Sequence, residues 1–241
     1  MVWDHEAGGS NPLTPTIDIK NLTSFLGMDS YTNPDYGKIA LLTIDVQRDC
    51  TIPGASIEIP GTIDILPKIQ SLERAFRSSG KPIIHVVRLY LPDGSNADGC
   101  RRKSIELGEH IIAPESDGAE LMEELKPTHG IRLDAANLLK GKLQSIGPKE
   151  WIMYKPRWGA FFKTPLEQYL HDLDINTIAL CGCNFPNCPR TTIYEASERD
   201  FRIVFVTDAV SQTYKRGLQE LTNIGVNLIK TKEVVTTLAK C

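Results

Sequence analysis

A carboxylate, an ammonium group and a thiol each stand just beyond an apolar run of this 241-residue sequence. Residues 39–44 (IALLTI) run into Asp45, with Gln47 and Asp49 behind it. Residues 151–154 (WIMY) run into Lys155, followed by Pro156, Arg157, Trp158 and Gly159. Residues 177–181 (TIALC) run into Gly182-Cys183-Asn184-Phe185-Pro186-Asn187-Cys188. Ligands of open α/β sheets bind beyond the carboxyl ends of the strands. If the three runs are parallel strands, an acid, a base and a thiol leave the sheet on one side. The chemistry these types offer together is nucleophilic attack by cysteine.

The thiol has a local case of its own. Pro189 suits the first position of a helix, and Thr191 to Arg199 continues it, which sets Cys188 at the N-terminus. Unpaired N–H groups and the positive end of the helix dipole favour thiolate there. That effect is about 0.3–2 kcal/mol, against about 1.4 kcal/mol per pKa unit. A helix end alone therefore activates too little, and a neighbouring ammonium is needed. Lys155 is the candidate.

The elements that must position these groups follow from apolar periodicity. Short continuous apolar runs recur at 39–44, 82–87, 151–154, 177–181, 202–206 and 226–229, as in strands buried on both faces. Helical spacing appears between them. Ile65, Leu66, Ile69, Leu72 and Phe76 form one stripe ended by Gly80, and Thr164-Pro165 opens another with Leu166, Leu170 and Leu173. The pattern predicts an α/β fold with a doubly wound, mainly parallel six-stranded sheet and helices on both faces. Residues 1–37 read as an N-terminal extension and 38–241 as a single domain. A long insertion at about 92–150 carries a short helix near 118–125 and an apolar-rich piece at 133–143, as a lid or an oligomer contact.

Composition narrows the function classes. Twenty-seven basic and 30 acidic residues leave a net charge of -3, with no general footprint for nucleic acid. The compact run Arg101-Arg102-Lys103 reads as a solvated loop. No run approaches the ~18 apolar residues of a membrane span, and the acidic start does not resemble a signal peptide. The six cysteines are scattered, so a reduced, cytoplasmic protein is expected. The C-x-C-x₄-C of Cys181, Cys183 and Cys188 lacks a second pair for zinc. Cys181 and Cys183 read as core and loop residues, His85 as a core histidine within a strand, and Trp158 as core or substrate wall.

These motifs carry a resemblance. Asp45-Val-Gln47-Arg-Asp49 resembles the Asp-x-Gln-x-Asp motif of the isochorismatase-like cysteine hydrolases. Lys155-Pro-Arg-Trp-Gly-Ala-Phe161 resembles their Lys-Pro-Arg-Tyr-Ser-Ala-Phe segment, and Gly182 to Cys188 their Gly-x-Ala-Thr-x-x-Cys loop. Thr207-Asp208-Ala209 is similar to the family's Asp-Ala at the next strand end. The likeness covers about residues 38–235 and implies a Rossmann-type strand order.

What the resemblance implies for the site is a Cys188–Asp45–Lys155 triad. It also implies a cis peptide between Cys183 and Asn184, and an oxyanion hole from the N–H groups of Asn184 and Cys188. Gln47, Trp158 and Phe185 are expected at the substrate, and Arg48, Arg88, Tyr90 and Arg157 read either as contacts for an anionic or polar substrate or as subunit contacts. Nicotinamidases of the family bind a metal near the second aspartate, but Thr51 and the lack of histidine between Asp45 and His85 speak against one here. The expected activity is hydrolysis of a small amide, carbamoyl or ureido substrate through an acyl-enzyme on Cys188. It needs no cofactor, no metal, no nucleic acid and no membrane, and a homo-oligomer (dimer or tetramer) is expected. Isochorismatase-type vinyl ether hydrolysis and a binding or scaffold role without turnover remain alternatives.

Overall fold

The computed structural model describes residues 29–240. The expected N-terminal extension therefore lies outside the described residues up to position 28. A seven-stranded sheet runs through the rest: β1 Ile39–Ile44, β2 Ile83–Val87, β3 Gln144–Gly147, β4 Glu150–Tyr154, β5 Thr177–Gly182, β6 Arg202–Val210 and β7 Asn227–Ile229. Its order is β3-β4-β2-β1-β5-β6-β7, and every pairing is parallel except β3 with β4. Without β3, the strands follow the Rossmann order, which reverses between β1 and β5.

Six strands were expected and seven are present among the described residues. The addition is β3, an edge strand of sequence Gln-Ser-Ile-Gly that is half-exposed along its length. It offers no apolar run because only its pairing with β4 holds it in the sheet. The six other strands fall within two residues of the predicted runs, except that β6 continues to Val210.

Helices cover both faces. The helices are α1 Arg48–Thr51, α2 Thr62–Ser78, α3 Gly99–Glu106, α4 Ala135–Leu138, α5 Leu166–Asp172, α6 Cys188–Ser197, α7 Lys215–Asn223 and α8 Thr231–Leu238. Leu66, Ile69, Leu72 and Phe76 of α2 pack with Val234 and Leu238 of α8 against Ile39, Leu41 and Val204. Leu166 and Leu170 of α5, Ile193 of α6 and Leu221 of α7 cover Leu42, Ile44 and Phe205 on the other face. Each such side chain removed from water is worth about 1.5–3 kcal/mol. Two apolar faces of one sheet thus fix the direction in which every parallel strand ends.

The insertion builds a third cluster beside β2 and β4, from Ile105, Ile111, Ile112, Leu121, Leu133 and Leu138 packed on Val87, Leu89 and Ile152. In place of the expected helix at 118–125 are two short 3-10 turns, Asp117–Ala119 and Glu123–Leu125. Residues 46–48 pair with this strap through Arg48 N–H to Glu120 O (2.8 Å) and Met122 N–H to Val46 O (3.2 Å).

A polar cluster sits within the layer beneath these strands. His85 bonds Thr43 Oγ1 (2.9 Å) and Glu150 Oε1 (2.8 Å), as a core histidine must. Glu73 of α2 is wholly buried beside it, and among the described residues neither carboxyl oxygen has a hydrogen-bond partner. Burial pushes the Glu73 carboxyl well above its ordinary 4.5, Glu150 adding to this and Arg77 opposing it. A carboxyl raised on folding contributes its full stability below the ordinary value and loses it as pH climbs through the raised one. Glu73→Gln is therefore expected to flatten the pH dependence of the urea midpoint above pH 4.5 and to exceed the natural protein in stability at pH 8. An unchanged pH profile would show that Glu73 ionises freely.

Candidate active site

The crevice between β1 and β5 is where the three sequence candidates meet. β1 is held on both sides, Leu41 facing Ile83 of β2 and Ala179 of β5. Its last bond is Asp45 N–H to Val86 O (2.9 Å), after which Asp45 takes a left-handed backbone (φ 53°). Aspartate tolerates that region better than most residues. Lys155 leaves β4 at the same level, its N–H on Val87 O (3.0 Å). Gly182 ends β5 at φ 117°, where a Cβ would lie 2.2 Å from Ile44 O. Only glycine lets the nucleophile loop pass so close to β1.

Cys188 is the first residue of α6, one position earlier than the proline placement predicts, so Pro189 is second. The α6 helix is tied to the Lys155 segment: Ala160 N–H reaches Thr192 Oγ1 (3.1 Å) and Phe161 N–H reaches Glu195 Oε2 (2.8 Å). The same economy appears at α5, which starts at Leu166 with Pro165 as its cap, one residue beyond the predicted opening.

Lys155 is fully buried and bridges the other two groups. Its Nζ stands 3.0 Å from Asp45 Oδ2 and 3.3 Å from Cys188 Sγ, with a third contact to Arg157 O at 3.3 Å. Burial works against its charge, but Asp45 and Cys188 outweigh burial and hold the ammonium above the ordinary lysine value. Asp45 Oδ1 is buried without a hydrogen-bond partner among the described residues.

The thiol behaves differently from the helix-end expectation. Burial is the largest influence on Cys188 and Asp45 the next, and both raise its pKa, while Lys155 pulls the other way. The net direction is upward. Burial and the Asp45 carboxylate together outweigh Lys155 and disfavour the thiolate.

The other candidates divide. Trp158 lines the cleft, as do Asn184, Asn187, Arg88 and Tyr90. The Cys183–Asn184 peptide is cis. Among the described residues neither the Asn184 nor the Cys188 N–H has a hydrogen-bond partner. Gln47 and Phe185 do not reach the cleft, which corrects their placement at the substrate. Gln47 is wholly buried and clamps the end of β2 to the insertion, its Nε2 on Arg88 O (2.9 Å) and Ala119 O (2.6 Å), its Oε1 on Arg88 N–H (2.8 Å). Phe185 points into the core, with ring centroids 5.3 Å from both Phe205 and Tyr214. Arg48 and Arg157 also lie off the cleft wall.

Other wall residues carried no signal in the sequence. Ile57, Ile59 and Ile112 supply apolar surface, and Cys50 joins Cys183 at its base. Arg101, read as part of a solvated run, stands on α3 and faces the cleft. The cleft is small, ≈ 60 Å³.

The donor set for a metal does not fit. Asp49 Oδ2 accepts a hydrogen bond from Ile112 N–H (2.7 Å), so the second aspartate anchors the insertion. Among the described residues no group of three or more His, Cys, Asp or Glu is placed to hold an ion. No described helix is long and apolar enough to cross a membrane.

A doubly wound α/β sheet with thiol, carboxylate and ammonium at its switch point is the class of protein that this geometry defines. The chain belongs to the isochorismatase family, whose isochorismatase domain matches residues 39–133 and 139–233. It is 28% identical over 192 residues to the "Probable inactive nicotinamidase" of Arabidopsis thaliana, covering 78% of this chain and 89% of that one. It is 25% identical over 180 residues to the maleamate amidohydrolase of Pseudomonas putida, covering 73% and 74%. Among solved structures, an isochorismatase family protein from Desulfovibrio vulgaris superposes with a TM-score of 0.71 at 27% identity, covering 84% of this chain and 98% of that one.

Proposed function

We propose that the protein is a cysteine amidohydrolase that cleaves the C–N bond of a small carboxamide, carbamoyl or ureido group. The observation that carries this reading is the position of Lys155 Nζ, within 3.0 Å of Asp45 Oδ2 and 3.3 Å of Cys188 Sγ on one cleft wall. A similar chain, named for maleamate, is an amidohydrolase.

The residues divide the work as follows from their states. Cys188 waits as a thiol. As Sγ attacks the carbonyl carbon, Asp45 takes its proton, and Lys155 stays charged to steady the carboxylate. Charge that develops on the carbonyl oxygen falls to the unpaired N–H groups of Asn184 and Cys188. One such donor is commonly worth about 10²–10³ in rate. Asp45 then gives the proton to the departing nitrogen, leaving a thioester on Cys188. Water hydrolyses it, with Asp45 accepting the water's proton and returning it to sulfur.

Vinyl ether hydrolysis needs no thiol nucleophile, and the placement of Cys188 Sγ 3.3 Å from Lys155 Nζ argues against it. Ammonia release across carboxamides, ureas and carbamoyl amino acids tests the reading, and release from at least one is expected. No release from any of them would favour a binding role, the state that the name of the Arabidopsis relative suggests for that protein.

A further inference from the structure

We propose that Cys50 and Cys183 form a modification site, a dithiol at the base of the cleft that hydrogen peroxide converts to a disulfide, halting turnover reversibly. The site goes beyond the amidohydrolase reading, and only its effect on turnover rests on that reading.

The fold brings the two thiols together from distant parts of the sequence. Cys50 lies on α1, just beyond β1, and Cys183 lies just beyond β5, the strand paired with β1. Backbone bonds hold both in place. Cys183 N–H donates to Ile44 O (2.9 Å), Cys50 N–H donates to Gln47 O (3.1 Å), and Cys50 O accepts from Ile59 N–H (2.9 Å). Both side chains belong to one packed cluster, and both line the cleft together with Cys188. All three cysteines are free. A hydrogen bond with the Cys50 thiol, and then burial, push the Cys183 thiol well above its ordinary value. Cys181 is the contrast: it sits in the core against α2 and α8, away from the cleft wall.

Peroxide is little larger than water, and the cleft leads it to both sulfurs. One thiol attacks an oxygen of hydrogen peroxide. An S–O bond forms, the O–O bond breaks, and the released hydroxide leaves as water with the thiol's proton. The second sulfur then displaces the hydroxyl of that sulfenic acid. An S–S bond forms, the S–O bond breaks, and a second water carries away the second proton. The two sulfurs together give up two electrons, and peroxide is reduced to two waters. Since thiolate is the nucleophile, oxidation should quicken as pH rises.

The disulfide would disturb the site through the nucleophile loop. It draws two sulfurs to ~2.0 Å, well inside hydrogen-bonding contact. Cys183 Sγ loses its hydrogen, and with it the bond to Asp45 O (3.1 Å). Asn184, the source of one N–H for the developing oxyanion, is the next residue along. A displacement of about 1 Å at a reacting centre can cost about 10² in rate.

In the test, the natural protein is treated with hydrogen peroxide, its remaining thiols are alkylated, and the digest is read by tandem mass spectrometry. The expected product joins Cys50 to Cys183 and has lost two hydrogens. It should form equally in Cys188→Ala, and dithiothreitol should undo it. Turnover of whichever amide the natural protein hydrolyses should fall with the linked fraction, to about a hundredth at completion, and return with dithiothreitol. Cys50→Ser, compared with its own untreated sample, should form no link and lose no activity that dithiothreitol restores.

Cys50 and Cys183 left unlinked by peroxide, or a link that needs Cys188, would overturn the site. A link that leaves turnover intact, a loss that dithiothreitol does not restore, or an equally reversible loss in Cys50→Ser would overturn its effect on turnover. A protein that forms the link but hydrolyses no amide would uphold the site and overturn the amidohydrolase reading alone.

Discussion

Asp45→Asn is expected to cut amide turnover by about 10²–10⁴, the usual contribution of a general base, while making Cys188 easier to ionise. The two effects run in opposite directions, and that makes the variant informative. Asp45 is the charged neighbour that raises the Cys188 pKa, second only to burial. Asparagine keeps the shape and removes the charge, so Lys155, 3.3 Å from Sγ, becomes the dominant neighbour. An opposite charge at this distance favours the thiolate. Alkylation of Cys188 by iodoacetamide at pH 7.5 should therefore quicken roughly tenfold or more, and its pH–rate profile should move to lower pH. A thiol that became more reactive as turnover collapsed would show that Asp45 moves protons. Turnover above a tenth of the natural value, or a profile moved to higher pH, would remove Asp45 from that role.

Lys155→Met should cost both activity and stability. The side chain is fully buried, and Asp45 loses through it the ion pair at Oδ2, while Oδ1 has no hydrogen-bond partner among the described residues. Removing one member of a buried ion pair leaves an uncompensated charge and costs about 3–5 kcal/mol. A methionine of similar volume creates little cavity, so this figure reads the charge rather than the packing. Turnover is expected to fall by about 10² or more, as for loss of an electrostatic stabiliser. Lys155→Arg should not restore it, because the larger fork does not fit a site built around one ammonium. Equilibrium urea unfolding at pH 7.5 beside ammonia release checks both. A variant as stable as the natural protein would mean that Asp45 is solvated in a way its burial does not allow.

The sequence carried the reacting groups more plainly than the walls around them. Asp45, Lys155 and Cys188 were legible because each follows an apolar run, and parallel strands end on a common side. Nothing in the residue order told which way a side chain turns once past the strand. Gln47 and Phe185 therefore seemed as close to the substrate as Trp158, whereas one clamps Arg88 and the other fills the core. Arg101 was hidden for the opposite reason. A run of three basic residues is usually solvated, and only the folding of the insertion over β2 turns its first member to the cleft. The edge strand β3 escaped notice because a half-exposed strand needs no apolar run.

The state of the thiol was the least legible property. A helix N-terminus and a lysine both argue for thiolate, and both are present. Burial and the Asp45 carboxylate count against it, and their weight depends on distances that spacing cannot supply.

The central claim is that Cys188 is the nucleophile. The most direct measurement is kcat/KM for ammonia release by Cys188→Ala on whichever amide the natural protein hydrolyses, with folding checked by its urea midpoint. A folded variant slowed by about 10³ or more is the predicted result. A folded Cys188→Ala that retains activity within tenfold of the natural protein would contradict it.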